Sequence, residues 1–168
     1  AMNSAADLVV LQYHHISDST PPSTSTSVSL FRGQLDMIED EELEVVDLHQ
    51  GTEAALNGEL ANRKQIAITF DDAYDSVFEN AAPMLAQRDY PYTIFVNTDA
   101  VGSKGYMTWE QLRELNERPE VTLANHSHDH EHLARRAGES EGDWAARVEH
   151  SLDTAQSILQ DRLGTDVP

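Results

Sequence analysis

The sequence predicts an α/β fold in which a parallel sheet or barrel carries its helices on the outside. Three observations lead there. Short apolar runs of β type alternate with stretches of helical periodicity, the pattern of repeated β-α units. The 168 residues contain no internal repeat and no interdomain linker, so one domain with a substantial core is expected over residues 1–168. The clearest buried run ends on two adjacent carboxylates, Asp71 and Asp72, and in α/β folds ligand sites gather at the carboxyl ends of strands.

The elements follow in order. Residues 8–13 read as the first strand, and the Ser-, Thr- and Pro-rich stretch 17–27 as a loop. Phe31, Leu35 and Ile38 recur at helical spacing behind Ser29, the candidate N-cap. Val45 and Val46 sit in a short strand, and residues 52–60 in a short helix. In the buried strand 65–70, Ile66, Ile68 and Phe70 alternate with Ala67 and Thr69. The next helix spans 76–87, with Pro83 in or near a break because proline has no backbone N–H. Residues 93–96 are a strand, and Thr108 with Gln111 makes a capping box for a helix through Leu115. A short strand over 121–124 leads directly into histidines. Trp144, Val148, Leu152, Ala155 and Leu159 mark a long amphipathic helix ended by Gly164.

Composition narrows the function classes. Eleven basic residues against 30 acidic ones give a net charge of −19, which disfavours nucleic acid as a partner because little is available to neutralise phosphates. The acidity fits a surface adapted to salty surroundings, or attraction toward a cationic polymer. Cysteine is absent, which removes disulfides, thiolate ligands and cysteine nucleophiles. No apolar run approaches the roughly 20 residues of a bilayer span, so an integral membrane protein is not expected. Residues 1–6 read as a mature or engineered terminus, with no signal sequence in this chain.

The candidate chemistry lies in Thr69-Phe70-Asp71-Asp72-Ala73-Tyr74 and His126-Ser127-His128-Asp129-His130. Two carboxylates at a strand end and two imidazoles four positions apart can form a metal site with a spare carboxylate beside it. That set suits metal-assisted hydrolysis. In an extended strand, residues four apart are separated by about 13 Å. In a helical turn the separation falls to about 6 Å, and both rings can face one ion. The functional reading therefore requires the strand to end by Asn125 and residues 126–130 to turn, leaving Ser127, His128 and Asp129 to support the ligands. Spacing leaves a His126/His128 pair open, and nearby His132 widens the choice. Tyr13-His14-His15 closes the first strand at the same expected end of the sheet, where it either lines the site or caps the strand. Trp109 reads as packing. The Gly138-Glu139-Ser140-Glu141-Gly142 run matches the nucleophile-elbow pattern, but no buried strand precedes it, so it reads as a polar loop.

These residues resemble the polysaccharide deacetylases of carbohydrate esterase family 4, the NodB homology domain. Thr69-Phe70-Asp71-Asp72 stands in the family's first motif, and His126-Ser127-His128-Asp129-His130 matches its His-(Ser/Thr)-x-x-His motif. Tyr13-His14-His15-Ile16, residues 27–38, Ala81 to Pro83, Tyr92 to Val96, Tyr106-Met107-Thr108-Trp109 and Leu133 look like the poly-β-1,6-N-acetylglucosamine deacetylase branch. The resemblance implies an N-terminal portion of a distorted (β/α) barrel, a single deacetylase domain truncated on its C-terminal side. It implies Asp71 as catalytic base and Asp72, His126 and His130 as ligands of zinc, replaced by cobalt or nickel in some members. The implied reaction releases acetate from a polysaccharide substrate and leaves a free glucosamine amine. Peptidoglycan, chitin or acetylxylan are alternative polymers, and a noncatalytic metal- or glycan-binding module is the alternative of another class. The family's later motifs, including the catalytic acid histidine, would fall after Pro168. A periplasmic, cell-surface or secreted location is implied as well. Ala73 replaces the family's glycine, so the turn there must tolerate a Cβ.

Overall fold

In chain order the elements are β1 (Asp7–Tyr13), β2 (His15–Ile16), β3 (Ser25–Thr26), α1 (Val28–Asp40), β4 (Glu44–Val45), α2 (Leu48–Leu56), β5 (Lys64–Asp71), a π-helical turn (Val77–Ala81), α3 (Ala82–Ala86), β6 (Tyr92–Val96), α4 (Trp109–Asn116), β7 (Val121–Asn125) and α5 (Glu141–Leu163). The computed structural model describes residues 7–60 and 64–164. The stretch 1–6, expected to be a mature or engineered terminus, lies outside the described residues, as does Pro168. The main sheet runs β1-β5-β6-β7, with β4 pairing the start of β5, and every pairing in it is parallel. This is the expected α/β arrangement.

The register gives the sheet two chemically different faces. Successive side chains on a strand point to opposite sides, and in-register neighbours point the same way. Leu11, Ile68, Tyr92 and Val121 form one row across the sheet, and Tyr13, Phe70, Ile94 and Leu123 the next. These large residues meet Phe31, Leu35 and Ile38 of α1, Leu85 of α3, Leu112 and Leu115 of α4 and Leu159 of α5 in the core. The opposite face carries smaller and more polar rows. Gln12, Thr69, Thr93 and Thr122 make one, and Asp71, Phe95 and Ala124 the one beyond it toward the strand ends. Near the strand starts, α2 closes onto β1 and β5. An added Cβ on Gly51 would lie 2.8 Å from Val46 and 3.0 Å from Leu8, so glycine is what permits that approach.

Several boundaries differ from those expected from sequence. Ser27, not Ser29, caps α1: its backbone is extended and its Oγ accepts the Leu30 N–H at 3.2 Å. The second helix starts four residues earlier than the apolar spacing indicates, because the Asp47 carboxylate accepts the N–H groups of His49 and Gln50. It ends at Leu56, ahead of Gly58 in the left-handed region (φ 71°). Pro83 does mark a break: a π-helical turn precedes it, in which the Ala82 N–H reaches back to the Val77 carbonyl. Within the 17–27 loop, Ser25 and Thr26 pair in parallel with His15 and Ile16. The Thr108–Gln111 capping box forms with both of its hydrogen bonds, and Gly164 ends α5 at φ 71°. No helix among the described residues is long and apolar enough to cross a membrane.

Between β7 and α5 the chain lacks regular structure, and Arg147 ties together its later part. The Arg147 guanidinium donates to both Glu139 carboxylate oxygens (2.8 and 3.1 Å) and to the carbonyls of His132 and Ala134 (both 3.1 Å). Glu139 also accepts the Arg136 N–H at 2.8 Å, and Trp144 Nε1 donates to the Leu133 carbonyl at 2.7 Å. Hydrogen bonds from Arg147, with the Arg136 N–H added, hold the Glu139 carboxyl down at about 2.

Two outcomes are expected. Phe70 is fully buried against the rings of Tyr13, Phe31 and Tyr92 at centroid distances of 5.6, 6.0 and 5.8 Å. Phe70→Ala should therefore cost about 3–5 kcal/mol in denaturant unfolding, and a loss below about 1 kcal/mol would contradict the packing described. For Glu139, the folded-state value lies below the ordinary 4.5, so its contribution is present above about pH 4.5 and is lost as the pH falls toward 2. The stability difference between the parent and Glu139→Gln should thus shrink over that interval. A pH-independent difference would show that Arg147 does not stabilise the ionised carboxylate.

Candidate active site

The site forms where β5 and β7 end on either side of β6. Asp71 is the last residue of β5 and Asp72 the first of the following turn; their relative exposures are 8% and 5%. Strand alternation would send neighbouring carboxylates to opposite faces. Asp72 adopts φ 72° instead, Ala73 follows at φ 53°, and the chain turns sharply. Ala73 therefore does carry its Cβ in the left-handed region, with the methyl buried in the core. Backbone bonds from Met107 N–H to the Ala73 carbonyl (2.9 Å) and from Asp75 N–H to the Gly105 carbonyl (3.0 Å) latch the turn.

β7 ends at Asn125 and the histidine loop turns, as the functional reading of the sequence required. Ser127 (φ 68°) and His130 (φ 52°) are left-handed. Asn125 Oδ1 accepts the Ser127 N–H at 2.8 Å, and the His126 N–H bonds to the Val96 carbonyl at 3.1 Å. The two rings come together with centroids 5.0 Å apart. Their Nε2 atoms lie 3.5 Å (His126) and 3.1 Å (His130) from Asp72 Oδ1. The other histidines are outside the three-donor group. His128 Nδ1 bonds to Thr98 Oγ1 at 2.8 Å, and His132 lines a cleft that His126 and His130 also line, with Glu131 and Leu133.

Asp72, His126 and His130 offer three donor atoms, all within 4.8 Å of one another. Ligands at zinc distances of about 2.0–2.1 Å in a tetrahedral arrangement stand about 3.3 Å apart, which the observed 3.1 and 3.5 Å separations bracket. Asp72 Oδ1 is itself buried and accepts no hydrogen bond among the described residues, a costly state for a carboxylate oxygen that a cation would relieve. The residues fit a divalent ion.

Asp71 is treated differently. Gln12, on the neighbouring strand and the same face, donates an amide N–H to Asp71 Oδ2, and His14 Nε2 lies 3.9 Å from the same oxygen. His14 thus lines the site. Its neighbour His15 stacks on Tyr74 with centroids 3.6 Å apart, and Tyr74 on Tyr106 at 4.8 Å. Burial pushes the His15 imidazole down, and burial with hydrogen bonding to Tyr106 pushes the Tyr74 phenol up. Asp129 is held below the usual carboxylate range first by its hydrogen bond from Ser151, at 2.8 Å. Two residues of this surround, Gln12 and Ser151, were not singled out from sequence. Gln12 had a readable signal, since it stands two positions before His14 and shares its face. Trp109 packs against the core with Arg162 over its ring. Ser140 is the N-cap of α5 and accepts the Asp143 N–H at 3.1 Å, so it is no nucleophile elbow.

Comparison with known proteins adds the family. The chain is 26% identical over 136 residues to the poly-beta-1,6-N-acetyl-D-glucosamine N-deacetylase of Escherichia coli strain K12, covering 71% of this chain and 20% of that protein. It is 27% identical over 116 residues to the enzyme of the same name from Staphylococcus aureus strain MRSA252, covering 66% and 40%. The chain thus spans less than half the length of these curated relatives. Its structure superposes on IcaB from Ammonifex degensii with a TM-score of 0.81 at 27% identity, over 95% of this chain and 71% of that one. The Streptococcus pyogenes deacetylase PplD, at 23% identity, shares the fold with a TM-score of 0.79, over 95% of this chain and 70% of that one. The sequence profile of the family described as polysaccharide deacetylase matches residues 59–168, a stretch that holds both the Asp71-Asp72 turn and the histidine loop. By that match the chain belongs to the polysaccharide deacetylase family, built on the NodB-type α/β fold.

Proposed function

We propose that this protein is a metal-dependent hydrolase that removes N-acetyl groups from an N-acetylglucosamine-containing polysaccharide of the poly-β-1,6 type. The observation that carries this reading is the convergence of Asp72, His126 and His130 beside a second carboxylate, Asp71, that is outside the donor set. The names of the Escherichia coli and Staphylococcus aureus relatives support the choice of polymer. Since such a polymer is met outside the cytoplasm, a periplasmic, cell-surface or secreted setting goes with it.

In this reading Asp72, His126 and His130 hold the ion, zinc by the chemistry of one carboxylate and two imidazoles, with cobalt or nickel able to replace it. When bound, the ion supplies Lewis-acid polarisation of the acetamide carbonyl. Asp71 takes the proton from the attacking water. Gln12 fixes Asp71 Oδ2, so that Oδ1 is the oxygen free to receive that proton. As the C–N bond breaks, the amine nitrogen needs a proton; the family resemblance assigns that step to a histidine of the later motifs, and in this chain His14, with Nε2 3.9 Å from Asp71 Oδ2, stands where it can assist the proton transfer.

Acetate release from acetylated β-1,6-glucosamine oligomers tests the reading. Asp71→Asn should lower the rate by at least about 100-fold with metal content unchanged, the usual minimum for a lost general base. Activity that survives both this variant and chelation would sink the proposal. His14→Gln should lower kcat and leave bound zinc in place; full activity in that variant would remove His14 from the proton path. Metal analysis separates the ligands: Asp72→Ala and His126→Ala should lose zinc, whereas Ser140→Ala should keep it. Zinc retained without His126 would show the ligand set to be wrong. Stoichiometric zinc with no acetate released would instead favour a binding module.

A further inference from the structure

We infer that Ser151, in the middle of α5, is a positioning residue for the metal-ligand loop, setting the loop's affinity for the ion by bonding to His128 and Asp129, two of the three residues between His126 and His130. This rests on the metal-site reading proposed above. The loop must place two imidazoles on one ion while holding two non-glycine residues, Ser127 and His130, in the left-handed region. Such a conformation persists only where its surroundings over-determine it.

The surroundings converge on residue 128. Its carbonyl accepts the Asp99 N–H at 3.0 Å, its Nδ1 meets Thr98 Oγ1 at 2.8 Å, and its N–H donates to Ser151 Oγ at 3.2 Å. The same Ser151 hydroxyl donates to Asp129 Oδ1 at 2.8 Å. One hydroxyl thus accepts from one loop residue and donates to the next, a double function for which alanine has no atom. The sequence position is itself unusual. Ser151, Ala155 and Leu159 form the buried stripe of α5, at successive i, i+4 positions. Serine is a weaker helix former than alanine, and its hydroxyl is costly there unless bonded. At 6% exposure, Ser151 has both of its bonds directed at the ligand loop.

Zinc affinity of the purified, metal-stripped protein, measured by competition with a chromophoric chelator, tests this without relying on turnover. Ser151→Ala should weaken zinc binding by about tenfold or more, the usual scale for lost support behind a metal ligand. Helical content in the metal-free state should be retained, because alanine favours the helix. Ala155→Gly serves as control: it weakens the same helix on the same stripe without touching the loop, and it should leave zinc affinity close to the parent value. If Ser151→Ala binds zinc like the parent, or if Ala155→Gly weakens binding as much, the positioning role is overturned while the metal site stands. If the parent binds no zinc where His126→Ala also binds none, the metal reading fails and this inference falls with it.

Discussion

The parallel register of β5, β6 and β7 sets how far apart the site's residues begin. β5 and β7 both pair with β6, so their ends stand two strand spacings apart, about 9.6 Å. Asp71, Phe95 and Ala124 share one row and one face, and His126, one step past Asn125, returns to that face. Plain alternation would put Asp72 on the core side, among Phe70 and Ile94. The left-handed turn at Asp72 breaks the alternation and brings its carboxylate back to the histidines. Two consecutive aspartates can serve one site only because the strand stops being a strand between them.

That solution is strained, and the strain is concentrated where it is used. Six non-glycine residues among those described have positive φ, and four of them, Asp72, Ala73, Ser127 and His130, belong to the two site turns. Each costs on the order of 1–2 kcal/mol relative to a right-handed conformation, less for aspartate. Neighbouring segments offset the cost. The 105–107 segment bonds to the Asp72-Ala73 turn, and residues 98–99 together with α5 grip the histidine loop. The buried Ala73 methyl recovers packing that glycine would lack at that position. α5 is therefore part of the site even though it contributes no donor atom.

The elements legible in the sequence are those whose signals are local. Ile66, Ile68 and Phe70 marked β5 by apolar alternation, and Thr108 with Gln111 declared the start of α4. The pairing of Asp71-Asp72 with His126 and His130 was legible as a set of parts with the right spacing. Harder to read were features decided by tertiary contact. α2 has a weak apolar stripe, so its start depends on the Asp47 cap and on Gly51 fitting against Leu8 and Val46. The apolar spacing points to Ser29 as the cap of α1, whereas the extended backbone and hydrogen bond that make Ser27 the cap show only in the folded chain. Ser151 in an apolar stripe looks like a tolerated small residue until the loop it bonds, more than twenty positions earlier in the chain, is folded against it.

The two aspartates also differ in what the protein supplies to them. A carboxylate oxygen buried without a donor forfeits its hydration for nothing, whereas one that accepts an N–H is compensated. Asp71 Oδ2 has the Gln12 amide, a neutral donor that fixes the carboxylate's direction and adds no charge. Asp72 Oδ1 has no hydrogen-bond donor among the described residues, and two imidazole nitrogens stand near it at spacings that suit shared ligation of an ion. Neutral imidazoles with both lone pairs aimed inward would repel that oxygen, so it needs either an N–H turned toward it by one ring or a metal ion between the three atoms. A proton serves one pair of atoms at a time. A divalent ion serves all three, which in the proposed reading makes Asp72 a ligand and leaves Asp71, held by Gln12 on one oxygen, to move the proton.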